Sequence, residues 1–376
     1  MQTKRIVYIG NYDNGDYGHE LLTQPSSCSK MNYILNALVE AGYEVDFYST
    51  AIAEDGGFYK NETKYYSHYR INYMISFGRG NFFYKVLSTV LINVQLFLLL
   101  LKTPNDTPVL VYHTIGVSRL VNYICSFKKE IKLFVELEEI YAVVRRKKKG
   151  EYERELNTIN KAMGYIVVND VIAEICKLKG KTISCYGIYS YSNKIKRFLN
   201  KDRINIVYAG GLDSDANNAI DVMNYLPDNY HLYILGYGTQ IQIKEINDRI
   251  RNINKERADN LVEYLGCMNG PEYSKFLDKC DIGLSTRFVT PEESMYAFPS
   301  KIFVYLSHNL LTVSSPHKAM EASSVAGLIY FSKDNKASSI ADTILKACYM
   351  NKDINYSQEI ERLHSDFVCN LKCFFE

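Results

Sequence analysis

Three short stretches in the second half of the sequence have the residue types and spacing to hold a phosphate. Gly210-Gly211 follows one apolar run, Gly236-Tyr237-Gly238 follows the next, and Phe298-Pro299-Ser300-Lys301 opens a helix-like segment. Glycine lets a backbone approach a ligand closely, and a helix N-terminus offers unpaired N–H groups and partial positive charge to an anion. Ser300 is expected to cap that helix and Lys301 to add a full charge. Turns use single glycine pairs for structural reasons alone, so the signal lies in the order of the three stretches.

The elements that must position them repeat one grammar. A strand over 6–9 ends at Gly10 and leads into a polar loop reaching about Cys28. A helix follows, with Met31, Ile34, Leu35, Leu38 and Val39 on one face, then Gly42 and a strand over 44–48. Strand, loop, helix and strand at this length make a βαβ unit with a parallel sheet. Further strands are expected at 109–112, 133–137 and 165–168. After a polar stretch the pattern restarts at 204–208 and continues with 232–235, 282–286, a helix at 300–308, a strand at 311–314 and a helix near 337–350. The fold expected is α/β: two Rossmann-like, doubly wound parallel-sheet domains facing a cleft. The boundaries are 1–200, 201–355, and a helical segment 356–376 that returns to the first domain. Ligands in such sheets bind beyond the strands' C-terminal ends.

Composition narrows the class. At 376 residues the chain exceeds a single core, and 47% hydrophobic with 23% charged residues excludes bulk disorder. The net charge of +2 hides an asymmetry: residues 1–200 carry 26 Lys and Arg against 19 Asp and Glu, residues 201–376 carry 18 against 23. A basic first half suggests an anionic partner such as a membrane surface, while wholesale nucleic-acid binding is not indicated. Nine scattered cysteines without a C-x-x-C pair fit reduced thiols in a cytoplasm. The first residues hold too few apolar positions for a secretory signal, so export is not expected. Segment 84–101 is the most apolar in the chain, but Ser88, Thr89, Asn93 and Gln95 interrupt it, and it is not expected to cross a bilayer. It reads as a buried crossover helix or, with Arg79, Lys85 and Lys102 flanking it, as a helix lying in the membrane interface. The basic run at 145–149 adds to the second reading and is otherwise a solvated helix face.

With these stretches in place, the sequence resembles the GT-B glycosyltransferases, in particular bacterial enzymes of surface-polysaccharide synthesis grouped with families 1 and 4. The resemblance extends over nearly the whole chain and is most specific in AFPSKIFVYLSHNLLTVSS at 297–315. IVYAGGL, YILGYG, VEYLGCM and KCDIGLS accompany it in the right order, and VLVYHTIG at 109–116 and the segment 133–170 are similar in the first half. It implies a nucleotide-sugar donor, a UDP-sugar, on the C-terminal domain and a lipid-linked or polysaccharide acceptor on the N-terminal one. Phosphate contacts then fall on Gly210, Gly211, Ser300 and Lys301, with Gly236 and Gly238 beside them. The base sits near Leu265 to Met268.

Glycosyl transfer without a metal or other cofactor needs cations for the leaving diphosphate, and Lys301 and Arg287 are the candidates. An inverting reaction also needs a general base. Asp13, Asp16 and His19 occupy the loop after the first strand, Glu138 and Glu139 end another strand, and His113 resembles the family histidine that contacts the donor sugar. Glu136, Glu138 and Glu139 lack the partners of a metal site. Departures from the family are specific. Val304 and Tyr296 stand where relatives often carry acids, with Glu293 and Glu292 close to the second. Gly211-Leu212-Asp213-Ser214-Asp215 replaces an Arg and Lys that bind diphosphate. These departures favour one rival, a noncatalytic GT-B partner of another transferase; a second rival, a GT-B epimerase of UDP-N-acetylhexosamine, calls for several cleft carboxylates and histidines from both domains, of which only a few are visible.

Overall fold

Short apolar runs alternating with amphipathic helices produce two parallel sheets, one in each of two units: Met1–Ile188 together with Ser365–Glu376, and Tyr189–His364. The computed structural model describes residues 4–376 except 81, 129, 146–148, 192–195, 198–201, 258–259, 288 and 351–352. The middle of the basic run at 145–149 therefore lies outside the described residues.

The first unit runs β1 (Lys4–Gly10), α1 (Pro25–Glu40), β2 (Tyr43–Ser49), β3 (Glu62–Tyr65), β4 (Tyr69–Tyr73), α2 (Phe82–Lys102), β5 (Val109–Tyr112), α3 (Ile115–Phe127), β6 (Leu133–Leu137), α4 (Lys149–Ile159), β7 (Gly164–Val167) and β8 (Lys181–Ser184). Its strand order is β8-β7-β6-β5-β1-β2-β4-β3. All neighbours are parallel except β3 and β4, whose antiparallel pairing extends the sheet at one edge. That extension is absent from the expectation above, although Tyr69, Ile71 and Tyr73 of β4 alternate with Arg70 and Asn72. Every residue of β5 and β6 is buried, as central parallel strands covered on both faces require. Met31, Ile34, Leu35 and Leu38 of α1 are buried against the sheet. Gly42, at φ +94°, ends that helix by donating its N–H to the Val39 carbonyl at 3.0 Å.

The second unit contains β9 (Ile204–Gly211), α5 (Ser214–Val222), β10 (Tyr230–Tyr237), α6 (Gln240–Lys255), β11 (Val262–Tyr264), α7 (Gly270–Leu277), β12 (Ile282–Ser285), α8 (Lys301–Ser307), β13 (Leu311–Ser314), β14 (Ile329–Phe331) and α9 (Ala337–Met350). The order is β11-β10-β9-β12-β13-β14, parallel throughout. A last helix, α10 (Ser357–Phe374), ends within the first unit, where Phe374 and Phe375 lie 5.1 and 4.7 Å from the Phe134 ring.

Both sheets are doubly wound. Strand order reverses at β1, which lies between β2 and β5, and again at β9, which lies between β10 and β12. The C-terminal ends flanking each reversal are where such sheets open to a ligand.

Candidate functional site

In the second unit the reversal point gathers most of the residues singled out in the C-terminal half. The glycine pair does not form a turn: β9 continues through it, pairing Gly210 with Gly236 and Gly211 with Tyr237. The two backbones are so close that a Cβ on Gly236, whose φ is +151°, would stand 1.7 Å from the Gly210 carbonyl oxygen. Gly236 is held there by its N–H to the Gly266 carbonyl (2.9 Å) and by the Tyr264 hydroxyl donating to its carbonyl (3.0 Å). Gly238 leads to Thr239, which caps α6 in a reciprocal box with Gln242. Beyond Gly211, the Asp213 carboxylate accepts the Asp215 N–H and caps α5.

Lys301 reaches back across this edge and donates to the Ala209 carbonyl of β9. Burial lowers its ammonium to about 8, with Cys267 and Asp213 pulling the other way. Ser300 does not cap α8. Its own backbone is helical (φ −54°, ψ −26°), its hydroxyl makes no cap bond, and the first-turn N–H of Ile302 goes to the Pro299 carbonyl at 3.1 Å. Pro299 starts the turn one residue earlier than the expectation allowed, which leaves the Ser300 side chain exposed.

Arg287, two residues past β12, is exposed; burial raises the Tyr208 hydroxyl and the Arg287 charge only partly offsets it, whereas at His317 that charge adds to the lowering by burial. Glu293 lies in its own turn: its carboxylate accepts the Thr290 N–H at 3.3 Å and its N–H goes to the Thr290 hydroxyl at 3.2 Å. Met268 and Val304 pack with Leu265 and Tyr273 against the apolar cluster of Val207, Ala209, Leu235 and Tyr305. A valine at 304 is explained by that packing, because a carboxylate on this cluster would lose its water without gaining a partner.

His317 is a residue the sequence reading missed. It follows β13 by three positions, is 3% exposed, and its Nδ1 is buried without a hydrogen-bond partner. Burial, followed by the Arg287 charge, pushes its imidazole down to about 4, so the ring is neutral at neutral pH. The strand-end rule that selects Arg287 would have selected it too.

In the first unit, Asp16 and His19 lie in the loop after β1 and are exposed. The Tyr66 hydroxyl (2.7 Å) and the Asn14 amide (3.0 Å) both donate to Asp16. His19 stands edge-on to Tyr17 and Tyr59, with ring centroids at 5.3 and 5.0 Å. His113, just past β5, is buried with both ring nitrogens engaged: Nδ1 is 2.8 Å from the Ser118 hydroxyl and Nε2 is 2.9 Å from Glu155. Glu155 also accepts the Tyr141 and Ala142 N–H groups at 2.9 and 2.7 Å. The ring is thus fixed by the scaffold, whereas Asp16 and His19 are open to solvent.

A second buried set lies along the same edge. Glu136 is fully buried, accepts from the Tyr8 hydroxyl and has its other oxygen unpaired. Glu138 lies 3.6 Å from Lys30, which is itself buried and donates to the carbonyls of Cys185 (2.5 Å) and Gly187 (3.4 Å). Burial raises both carboxyls above the usual carboxylate range, and the Glu138 charge raises Glu136 further. Burial alone would lower Lys30, but Cys185, Glu138 and Glu136 outweigh it and hold the ammonium above its ordinary value. Lys30 stands four residues before the buried Ile34, on the apolar stripe of α1, and that placement was the sequence signal for it. No group of three or more His, Cys, Asp or Glu side chains able to hold a metal occurs among the described residues.

No protein-family model and no curated protein matches the chain. Solved structures do. An α,α-trehalose-phosphate synthase (UDP-forming) from Burkholderia xenovorans in complex with glucose-6-phosphate superposes with a TM-score of 0.65 at 10% identity, over 98% of this chain and 96% of that one. The α,α-trehalose 6-phosphate synthase of Burkholderia multivorans gives 0.64 at 10% identity over 98% and 95%. The E. coli trehalose-6-phosphate protein bound with UDP-2-fluoro glucose gives 0.63 at 10% over 98% and 95%. At this identity the likeness is one of fold, and the fold is the GT-B class: two Rossmann-like units, each built on a doubly wound parallel sheet.

Proposed function

We propose that the protein is a glycosyltransferase that moves a hexose from a UDP-sugar, held by the second unit, to a hydroxyl of a lipid-linked or polysaccharide acceptor held by the first. The observation that carries the donor half is the edge at β9: Gly210 and Gly236 backbone to backbone, with the Lys301 ammonium on the adjoining Ala209 carbonyl and the exposed Arg287 following the neighbouring strand β12. Glycosyl transfer breaks the bond from the sugar C1 to the phosphate oxygen and leaves the electron pair on the diphosphate, so preorganised cations at that oxygen lower the barrier. The UDP-2-fluoro glucose bound to one fold relative and the UDP-forming reaction of another support the same donor. The acceptor hydroxyl loses its proton, and Asp16 and His19, exposed in the loop after β1, are the available bases of the first unit. A glucose-6-phosphate acceptor, the ligand of one fold relative, is the second reading. The eight described cysteines are free, in keeping with a reducing cytoplasm.

Calorimetry with UDP tests the donor site. The wild type is expected to bind, and Lys301→Met to bind more than tenfold more weakly, since a hydrogen bond to a charged group is worth about 1.5–3 kcal/mol. The wild-type affinity should also fall as pH rises through about 8, where Lys301 gives up its proton, and the variant should lose that dependence. A wild type that does not bind UDP would return the protein to the noncatalytic class. Acceptor class is read separately, by UDP release from UDP-glucose in the presence of glucose-6-phosphate or of a membrane lipid extract.

A further inference from the structure

The helix α2 is turned the opposite way from an ordinary surface helix. Two of its polar residues, Ser88 and Gln95, face the protein and are satisfied there, while Thr89 and the lysines are exposed. The Gln95 amide donates to the Ile75 carbonyl at 2.8 Å and accepts the Ile75 N–H at 2.9 Å, and the Ser88 hydroxyl bonds both the N–H and the carbonyl of Phe77. Its inward stripe is completed by Ile92, Leu96 and Leu100, all buried. The outward stripe is apolar: Phe82 and Phe83 are 83% and 66% exposed, and Val90, Val94, Leu98 and Leu101 are each near half-exposed. Helix α3 packs beside it and adds exposed Tyr123 and Phe127. Single exposed apolar residues are normal; a continuous stripe over two adjacent helices marks a surface that something covers.

Charge identifies what covers it. Neither α2 nor α3 contains an Asp or a Glu, and Lys85 and Lys102 stand exposed towards the two ends of α2, with Arg79 just before it. The carbonyls at the C-terminal end of α2 are already taken by the Lys128 ammonium, which donates to Leu100, Leu101 and Thr103. Exposed Asp106 and Glu130 lie in the loops just beyond the two helices, but the charges on the helices themselves are all cations, and an apolar stripe bordered by them is complementary to the acyl boundary and headgroups of an anionic bilayer.

We propose that the α2–α3 face lies flat in the interface of an anionic lipid membrane. By length and composition α2 could cross a bilayer. Its inward stripe, however, is packed and hydrogen-bonded to the sheet side of the unit, so only the outward stripe is available to lipid. The helix is about 31 Å long at 1.5 Å per residue, enough to seat every residue of the stripe at one depth. This goes beyond the donor chemistry and does not depend on it, and UDP affinity keeps the two separable.

The test is sedimentation of the full chain with vesicles of phosphatidylglycerol and phosphatidylcholine, against vesicles of phosphatidylcholine alone. The expected result is binding to the anionic vesicles that weakens as salt rises. The double variant Val94→Glu/Leu98→Glu should bind at least tenfold less, with UDP affinity and thermal midpoint kept, because both positions are exposed. Lys85→Gln/Lys102→Gln, which leaves the stripe intact, should reduce the preference for anionic vesicles. Three results would overturn the proposal: a wild type that stays in the supernatant, a Glu variant that binds as well as the wild type, or a wild-type dimer in ultracentrifugation that the Glu variant abolishes. The last would assign the stripe to a second copy of the chain.

Discussion

Lys30→Met is expected to destabilise the protein by about 3–5 kcal/mol at pH 8, the usual loss when one partner of a buried ion pair is removed and the other is left behind. Lys30 is buried on α1 beside Glu138 and Glu136 and holds the carbonyls of Cys185 and Gly187. Its removal leaves two buried carboxyls facing each other without a cation. The sign of the pH dependence follows from their raised values. In the fold Glu136 keeps a proton that the unfolded chain has already released, so stability falls as pH rises from about 4.5 to about 8, and the raised Glu138 acts in the same direction. Without Lys30 the fall steepens. Urea unfolding at pH 5 and pH 8 therefore separates two explanations. A loss much larger at pH 8 identifies the carboxyls as the cause, and an equal loss at both pH values would mean that Lys30 matters only for its packing and carbonyl bonds. Adding Glu136→Gln to Lys30→Met should recover part of the loss at pH 8 and little of it at pH 5.

Gly236→Ala is expected to disable the donor edge. The new methyl would meet the Gly210 carbonyl at 1.7 Å, and φ +151° is a backbone conformation that alanine rarely adopts. Strain of that kind costs about 1–3 kcal/mol, and forced repacking adds a similar amount. The strand ends of β9 and β10 must then separate, and the Gly210 backbone leaves the position proposed for phosphate. UDP affinity should fall by more than tenfold, and the second unit should unfold at lower temperature than in the wild type. Gly327→Ala is the control, since its Cβ would meet nothing within 4 Å. If Gly236→Ala lost stability but bound UDP like the wild type, the phosphate position would have to lie away from the Gly210–Gly236 contact.

Much of the architecture was legible in the chain. The apolar period of α1 and the glycine after it, the apolar run that became β5 and the one that, Glu136 apart, became β6, and the restart at 204 all express local rules. A strand buried on both faces is mostly apolar, and a helix with one buried face must repeat every three to four residues. Gly210, Gly211, Gly236 and Gly238 were visible for the same reason, because glycine is used where backbones approach.

What the tertiary structure decided were the properties that depend on neighbours distant in sequence. Whether Gly210 forms a turn or a strand depends on its pairing with Gly236. Whether Ser300 caps depends on where Pro299 begins the turn. His113 resembled the family histidine that contacts the donor sugar, and only the fold showed Ser118 and Glu155 on its two nitrogens; His317 stood out only once its strand end, its burial and the charge of Arg287 were known together. Lys30 on an apolar stripe is a contradiction in the sequence; Glu138 and two carbonyls about 155 residues away resolve it. Residue types and spacing carry the first kind of information because it acts within a few turns or one strand. Burial and the pairing of charges are set by contacts across the fold, and no local pattern contains them.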